Sequence, residues 1–321
     1  MNKIIRFLLT IAVSSALFAC SSTSEVPEGD RLYTGLEPIK YTDYESNEHF
    51  TATQEEIEAA LDCPPNGAIF GSSYYRSPFP YSLWIWNAFH ESESPIGKWV
   101  TKTFGNQPVL MSWVNPALRA SVAQSQLRNH GYFRGTVNYE EKPYSKHPKA
   151  KIAYHVDCGH LFTIDTVTYS NFPLNADSLI AASADEAKIK SGSPFDVVSL
   201  DAERNRLSNL FRNNGYYYYQ PSYASYRADT VNTPGKVKLD VELADNLPEK
   251  ALKKWYIGNI SINLRRTFME ELKDSIHYYF FHAYFNGKKP PVRPRVIMSD
   301  MKLRHGQPYD YSKHTESNNR I

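Results

Sequence analysis

A chain of 321 residues that is 41% hydrophobic has enough apolar material for real cores, and its length suggests two or three domains. Its formal net charge of +2 excludes a protein held to nucleic acid by charge. Beyond the N-terminus no apolar run approaches the roughly 20 residues that span a bilayer, so any anchor visible here is a lipid.

The first segment is an export signal. Lys3 and Arg6 give a positive start, and residues 7–13 and 16–19 give a short apolar core. Leu17-Phe18-Ala19-Cys20 then places a cysteine directly after a small residue. This resembles the bacterial lipobox, in which the thiol receives a diacylglyceryl group and the signal is cut in front of it. Phe18 is bulkier than the usual second residue. The resemblance implies a signal peptide over residues 1–19, acyl chains of the palmitate type on Cys20, and a lipidated tether over 20–30. Ser21-Ser22-Thr23-Ser24 begins that tether as a flexible polar run. Two cysteines follow, Cys63 and Cys158. In an oxidising compartment they are available to pair, and each equally suits a small buried hydrophobe.

Residues 53–61 read as a helix, with Thr53 as cap and Glu56 three residues on. A proline- and aromatic-rich stretch follows, from Pro64-Pro65-Asn66-Gly67 to Ser82-Leu83-Trp84-Ile85-Trp86-Asn87. It reads either as a sugar- or peptide-binding surface or as the core of a small domain.

A repeat then runs through the chain. Arg128-Asn129-His130-Gly131-Tyr132 returns as Arg212-Asn213-Asn214-Gly215-Tyr216. Leu200, Leu207, Leu210 and Phe211 before the second copy share one helical face. Gly131 and Gly215 sit where a helix ends in a left-handed cap. Aromatic, strand-forming residues follow: Tyr132 and Phe133, then Tyr216, Tyr217, Tyr218 and Tyr219, with Tyr223 beyond. A second element, Gly192-Ser193-Pro194-Phe195-Asp196, returns as Gly306-Gln307-Pro308-Tyr309-Asp310, and Gly105-Asn106-Gln107-Pro108-Val109 is a looser copy. The pattern predicts a tight turn entering a helix, with Gly192, Pro194, Gly306 and Pro308 as the turn residues. Alternating strands close the units at 151–156 and 237–243, and opening strands lie at 161–167 and 255–262. Each unit reads strand, helix, helix, strand, strand.

This order, with Gly-x-Pro-aromatic-Asp before a helix and Gly-Tyr after it, resembles the POTRA domain of the TamA/BamA superfamily of outer-membrane assembly proteins. With the lipobox, Val26-Pro27-Glu28-Gly29, Pro65-Asn66 and Leu83-Trp84-Ile85-Trp86-Asn87-Ala88-Phe89, it looks like the lipidated TamA-like (TamL) proteins of the Bacteroidetes type. The resemblance implies an α+β fold of tandem POTRA-like β-α-α-β-β domains. A divergent first domain spans 31–157, a second 158–247 and a third 248–321. The third is expected to be incomplete, and the C-terminal β-barrel of the family to be absent from these residues. Residues 268–285 are expected to be helical, which leaves the third sheet a single strand and makes 290–321 mobile. The same resemblance makes the second long strand of each unit, residues 132–140 and 216–227, an edge that binds outer-membrane protein clients or a TamB-like periplasmic protein by β-augmentation. The protein is then expected at the outer membrane, held by lipid, its domains facing the periplasm.

Catalytic signatures are absent: no His-Glu-x-x-His, no Gly-x-Ser-x-Gly and no phosphate-cradling glycine loop. His277 and His282 are off the spacing that sets two ligands on one helical face. The expectation is therefore no enzyme, no metal and no cofactor. An aromatic content of 14% supports a competing reading as a glycan- or peptidoglycan-binding lipoprotein. Asp-Ser/Thr-aliphatic triplets at Thr166, Ser178, Thr230 and Ser275 resemble a short O-glycosylation sequon, with Ser178 and Thr230 placed in loops.

Overall fold

The computed structural model of the protein describes residues 22–320. The expected signal peptide and the expected lipidation site Cys20 lie outside the described residues. The chain divides into two compact units between Phe162 and Thr163.

In the first unit β1 (Leu32–Leu36), β2 (Lys40–Thr42), α1 (Glu48–Leu61), α2 (Tyr81–Phe89), α3 (Pro95–Phe104), α4 (Met111–Val114), α5 (Pro116–Asn129), β3 (Thr136–Pro143) and β4 (Lys149–Asp157) follow in order. β4 is the central strand. β1 and β2 both run parallel to it, at Lys149–Ile152 and His155–Asp157 respectively, so the pair forms one interrupted opening strand. β3 lies antiparallel on the other side. Ala150, Ile152, Tyr154 and Val156 alternate inward from β4, as period-two burial requires. Phe50, Thr53, Ile57 and Leu61 of α1 and Ala120, Ala123 and Leu127 of α5 close over that face.

α1 begins earlier than its sequence suggests. Asn47 is the cap, accepting from the Phe50 N–H at 2.8 Å, and Thr53 is buried inside the helix with its hydroxyl bonded to His49 O. The amide oxygen of Asn47 offers a better-placed acceptor than Thr53, which lies on the core face. The chain between α1 and α4 is an insertion into the strand-helix-helix-strand-strand plan, and α2 and α3 pack on each other within it.

The second unit opens with the expected plan. β5 (Thr163–Ser170), α6 (Leu174–Ala182), α7 (Val197–Asn213), β6 (Ala224–Asp229) and β7 (Lys236–Leu243) form a sheet of order β5-β7-β6, β5 parallel to β7 and β6 antiparallel. The repeated Gly-x-Pro-aromatic-Asp explains itself here. Gly192 takes φ +85° and Gly306 φ +74°. Pro194 and Pro308 bridge to Thr163 and Tyr256. Phe195 and Tyr309 are buried. Asp196 caps α7 by accepting from Val198 N–H, and Asp310 accepts from Lys313 N–H. Gly131 and Gly215 take φ +87° and +101° after their helices, the left-handed exit expected of them.

The rest of the second unit departs from expectation. β8 (Ile260–Asn263), β9 (Asp274–Tyr278) and β10 (Phe281–Phe285) precede α8 (Pro294–Asp300) and α9 (Tyr311–Arg320). The stretch expected to be helical is a hairpin, and the sheet has three strands in the order β8-β10-β9. The reason is period: Phe281, Ala283 and Phe285 alternate inward on aromatic, strand-favouring residues. β10 lies parallel to β8, the position β7 holds beside β5. Ile260 and Ile262 therefore pack against Phe281, Ala283, Ile297 and Met301 rather than lacking partners. The fold is α+β, with three small sheets and no closed barrel among the described residues.

Candidate interaction edges

Among the described residues β6 pairs only with β7, and β3 only with β4, so both are edges. Their backbone polarity follows from the register. Ala244 N–H donates to Tyr223 O at 2.9 Å, and pairing runs unbroken from Ala224↔Leu243 to Asp229↔Lys238. Bonded and unbonded residues alternate in an antiparallel ladder. Ser225, Arg227 and Asp229 thus bond β7, while Ala224, Tyr226 and Ala228 turn their backbone groups outward. Arg204 Nε takes the Ala224 carbonyl at 3.0 Å. Tyr226 and Ala228 remain as the outward docking positions. On β3 the Tyr144 N–H to Lys149 O bond sets the same parity, so Val137, Tyr139, Glu141 and Pro143 face outward. Pro143, with no N–H to offer, sits at an outward position, where an edge tolerates it.

The seven residues expected in these edges lie before them. Tyr132 and Phe133 fall in the turn ahead of β3, and Tyr216–Tyr219 in the turns after α7. Tyr223 lies in a one-turn 3-10 helix, Pro221–Tyr223, with its N–H bonded to Gln220 O. The left-handed glycine reverses the chain, and the aromatic rings fold back onto the helix instead of extending a strand. Tyr132, Tyr216 and Tyr219 are buried. Tyr219 packs edge-on to Phe211 at 4.6 Å, and Tyr217 and Tyr218 do so to Tyr309 (4.7 Å) and Trp255 (5.1 Å). Tyr216 and Tyr219 are core, while Tyr217, which stays 41% exposed, and Tyr218 pack on the segment that follows.

Sequence reasoning missed a buried ion pair behind the β6 edge. Glu203 is fully buried on α7. Its carboxylate accepts from Arg206 Nη2 at 2.6 Å, Arg206 Nε at 2.9 Å, the Tyr169 hydroxyl at 2.7 Å and Lys188 N–H at 2.8 Å. Arg206 Nη1 continues to Ser183 Oγ at 2.8 Å. The network ties β5, the end of α6 and α7 into one support for the sheet. Burial pushes the Glu203 carboxyl up, but the Arg206, Lys188 and Tyr169 bonds outweigh it and hold the group below the usual carboxylate range.

Cys63 and Cys158 are both free thiols, Cys158 buried in the core of the first unit and Cys63 half-buried against it. Burial pushes Cys158 up to about 12 and Cys63 upward as well, so both are poor nucleophiles. His277 and His282, unremarkable in sequence, stand opposite each other across β9 and β10 with their ring nitrogens in contact. Among the described residues Glu25, His90 and Glu91 form a group of three possible metal ligands within 4.8 Å, assembled as the ion pairs of one histidine. Thr166 lies in β5 and Thr230 in the turn after β6. Ser178 lies within α6, its hydroxyl bonded to Asn175 O, and not in a loop.

No family model and no curated protein matches this chain. Among solved structures it is similar to POTRA domains 3–5 of BamA from Haemophilus influenzae, with 9% identity over 92% of this chain and 87% of that one, at a TM-score of 0.39. POTRA domains 1–3 of the periplasmic domain of Omp85 from Anabaena match at 10% identity over 92% and 85%, with a TM-score of 0.31. CdiB from Escherichia coli matches at 9% identity over 76% and 34%, with a TM-score of 0.24.

Proposed function

We propose that the chain is the periplasmic arm of an outer-membrane protein assembly or translocation factor of the TamA/BamA superfamily, of the lipidated TamL-like kind, and has no catalytic role. The observation that carries this reading is the open edge at Tyr226 and Ala228, presented by a sheet of the repeated strand-helix-helix-strand-strand plan. An incoming strand meets unpaired N–H and C=O groups there and adds with little demand on its sequence. That suits a factor serving many outer-membrane clients or a TamB-like periplasmic protein. Lipidation at Cys20 would hold the arm at the outer membrane, its domains in the periplasm.

A photo-crosslinking residue at Ala228 in the native host tests the edge. The expected outcome is adducts with outer-membrane barrel proteins or a TamB-like chain, absent when the crosslinker stands at exposed Glu186 in the same domain. Equal adducts at both positions would refute strand addition at β6. Metabolic labelling with a clickable fatty acid tests the anchor, since Cys20→Ser should abolish the label.

A further inference from the structure

The insertion in the first unit leaves several large apolar side chains exposed, with Trp84 and Ile85 half-buried between them. On α2, Tyr81, Trp84, Ile85 and Ala88 recur at the spacing of one helical face. Tyr81 is 60% exposed and Ala88 is exposed, while Leu83 on the opposite side is fully buried. On α3, Ile96, Trp99 and Thr103 share a face, with Ile96 76% and Trp99 59% exposed. A helix on a water-facing domain shows the reverse pattern. The two helices form a hairpin closed at its open end by Asn106 N–H to Ser82 O at 3.0 Å. Phe79, Tyr81 and Trp84 cluster at that end, and Trp99 meets Phe104 edge-on.

The start of the chain indicates what covers this face. Glu25 lies 3.5 Å from His90 Nε2, at the far end of α2. Cys20 is five residues before Glu25, at most about 17 Å of extended chain. Acyl chains on Cys20 therefore bring a bilayer within reach of the hairpin. Exposed Lys98 and Lys102 flank the stripe, where their ammonium groups meet phosphate headgroups. Tryptophan and tyrosine are the residues that settle at headgroup depth. Among the described residues no helix is long and apolar enough to cross a membrane, so such an element lies on the surface rather than spanning it.

We propose that the α2–α3 hairpin is an interfacial membrane-binding element, seated in the headgroup layer with Tyr81, Trp84, Ile85, Ile96 and Trp99 at the acyl boundary. It rests on the lipidation reading for the nearness of the membrane, but the face itself needs no acyl group. Its charges balance, Glu91 and Glu93 against Lys98 and Lys102, so apolar burial rather than net charge drives binding.

Brominated phosphatidylcholine vesicles test it, because bromine quenches tryptophan only on contact in the acyl region. Trp84 and Trp99, two of the five tryptophans, lie on the proposed face, so the lipidated full chain should lose about two fifths of its emission. Cys20→Ser should show the same loss at higher lipid concentration. Ala88→Asp with Ile96→Asp, both at exposed positions, keeps every tryptophan and the anchor and should abolish quenching, with near-UV circular dichroism unchanged. A protein that floats with the vesicles yet stays unquenched would overturn the proposal, as would quenching that survives the double substitution. Shielding of the tryptophans by an added protein partner alone would also overturn it. If wild type and Cys20→Ser float identically and neither carries an acyl mass, the anchor reading fails, while the quenching result still decides the hairpin.

Discussion

The amide of Gly306 donates to the carbonyl of Ile257 at 2.7 Å, and Ile257 returns its own amide to Gln307 at 2.8 Å. Gly192, Ile164 and Ser193 make the same exchange, with both bonds at 2.8 Å. The turn is thus stitched to the opening strand of its domain, and only a left-handed residue lets it close. A Cβ on Gly192 would meet nothing within 4 Å, so any substitution there acts through the backbone alone. Gly192→Val should destabilise the second unit by about 1–2 kcal/mol, and Gly192→Asn by less. Urea unfolding followed by fluorescence measures this, and equal midpoints for both variants and wild type would show that the turn relaxes freely.

The Glu203–Arg206 pair sets a second expectation. Removing one partner strands the other charge in the core, so Arg206→Met should cost roughly 3–5 kcal/mol, and Glu203→Leu with Arg206→Met together should cost less than Arg206→Met alone. The pH dependence has a fixed sign. The folded carboxyl titrates below the unfolded one, so the pair stabilises the protein fully above the ordinary glutamate range and loses that contribution as pH falls through the folded value. Thermal midpoints measured from neutral to acid pH should decline less in the double variant than in wild type.

Backbone parity on β6 makes proline a directional probe. Ala228→Pro removes an outward N–H, which an edge tolerates. Arg227→Pro removes a ladder donor and displaces the guanidinium held by Glu242 at 2.8 and 2.9 Å. With the crosslinking residue moved to exposed Arg227, Ala228→Pro should stay folded within about 1 kcal/mol of the unsubstituted chain yet lose the crosslinks expected at this edge. Arg227→Pro should be the less stable of the two. Retained crosslinking in folded Ala228→Pro protein would place the partner elsewhere.

Tyr219 tests the structural reading of the tyrosine cluster. Its hydroxyl is buried without a hydrogen-bond partner among the described residues, and burial drives its titration upward. Tyr219→Phe should leave stability unchanged or raise it by about 1 kcal/mol, because an unmatched polar atom is removed and the ring contact with Phe211 is kept. A fall in the thermal midpoint would mean the hydroxyl is satisfied by ordered water.

The repeat was legible because its residues are conformational specialists. Left-handed glycines, a capping aspartate and an aromatic plug leave a fixed order in the sequence, and Gly192–Asp196 and Gly306–Asp310 behave alike in space. The hairpin at β9 and β10 was not, because a run such as Tyr278-Tyr279-Phe280-Phe281 is apolar at helical and strand periods alike, and only pairing with β8 decides between them. The tyrosines after Gly215 carry strand propensity, but tertiary packing on Phe211 outweighs it. Glu203 and Arg206 were invisible for a different reason. An acid and a base three positions apart on a helix usually mark a wet face, and nothing local reports that Tyr169 and Ser183 close over them.

The carbonyl of Gly215 accepts from Trp255 N–H at 2.8 Å, and that of Gly131 from Phe162 N–H at 3.0 Å. In each repeat the glycine that ends the second helix also fastens the segment leaving the closing strand. The fastening is built from residues of the repeat and its exit, with no dedicated linker. A gene duplication of one repeat would copy its own joint along with it, so an arm of this design can lengthen by whole modules without inventing a connection each time.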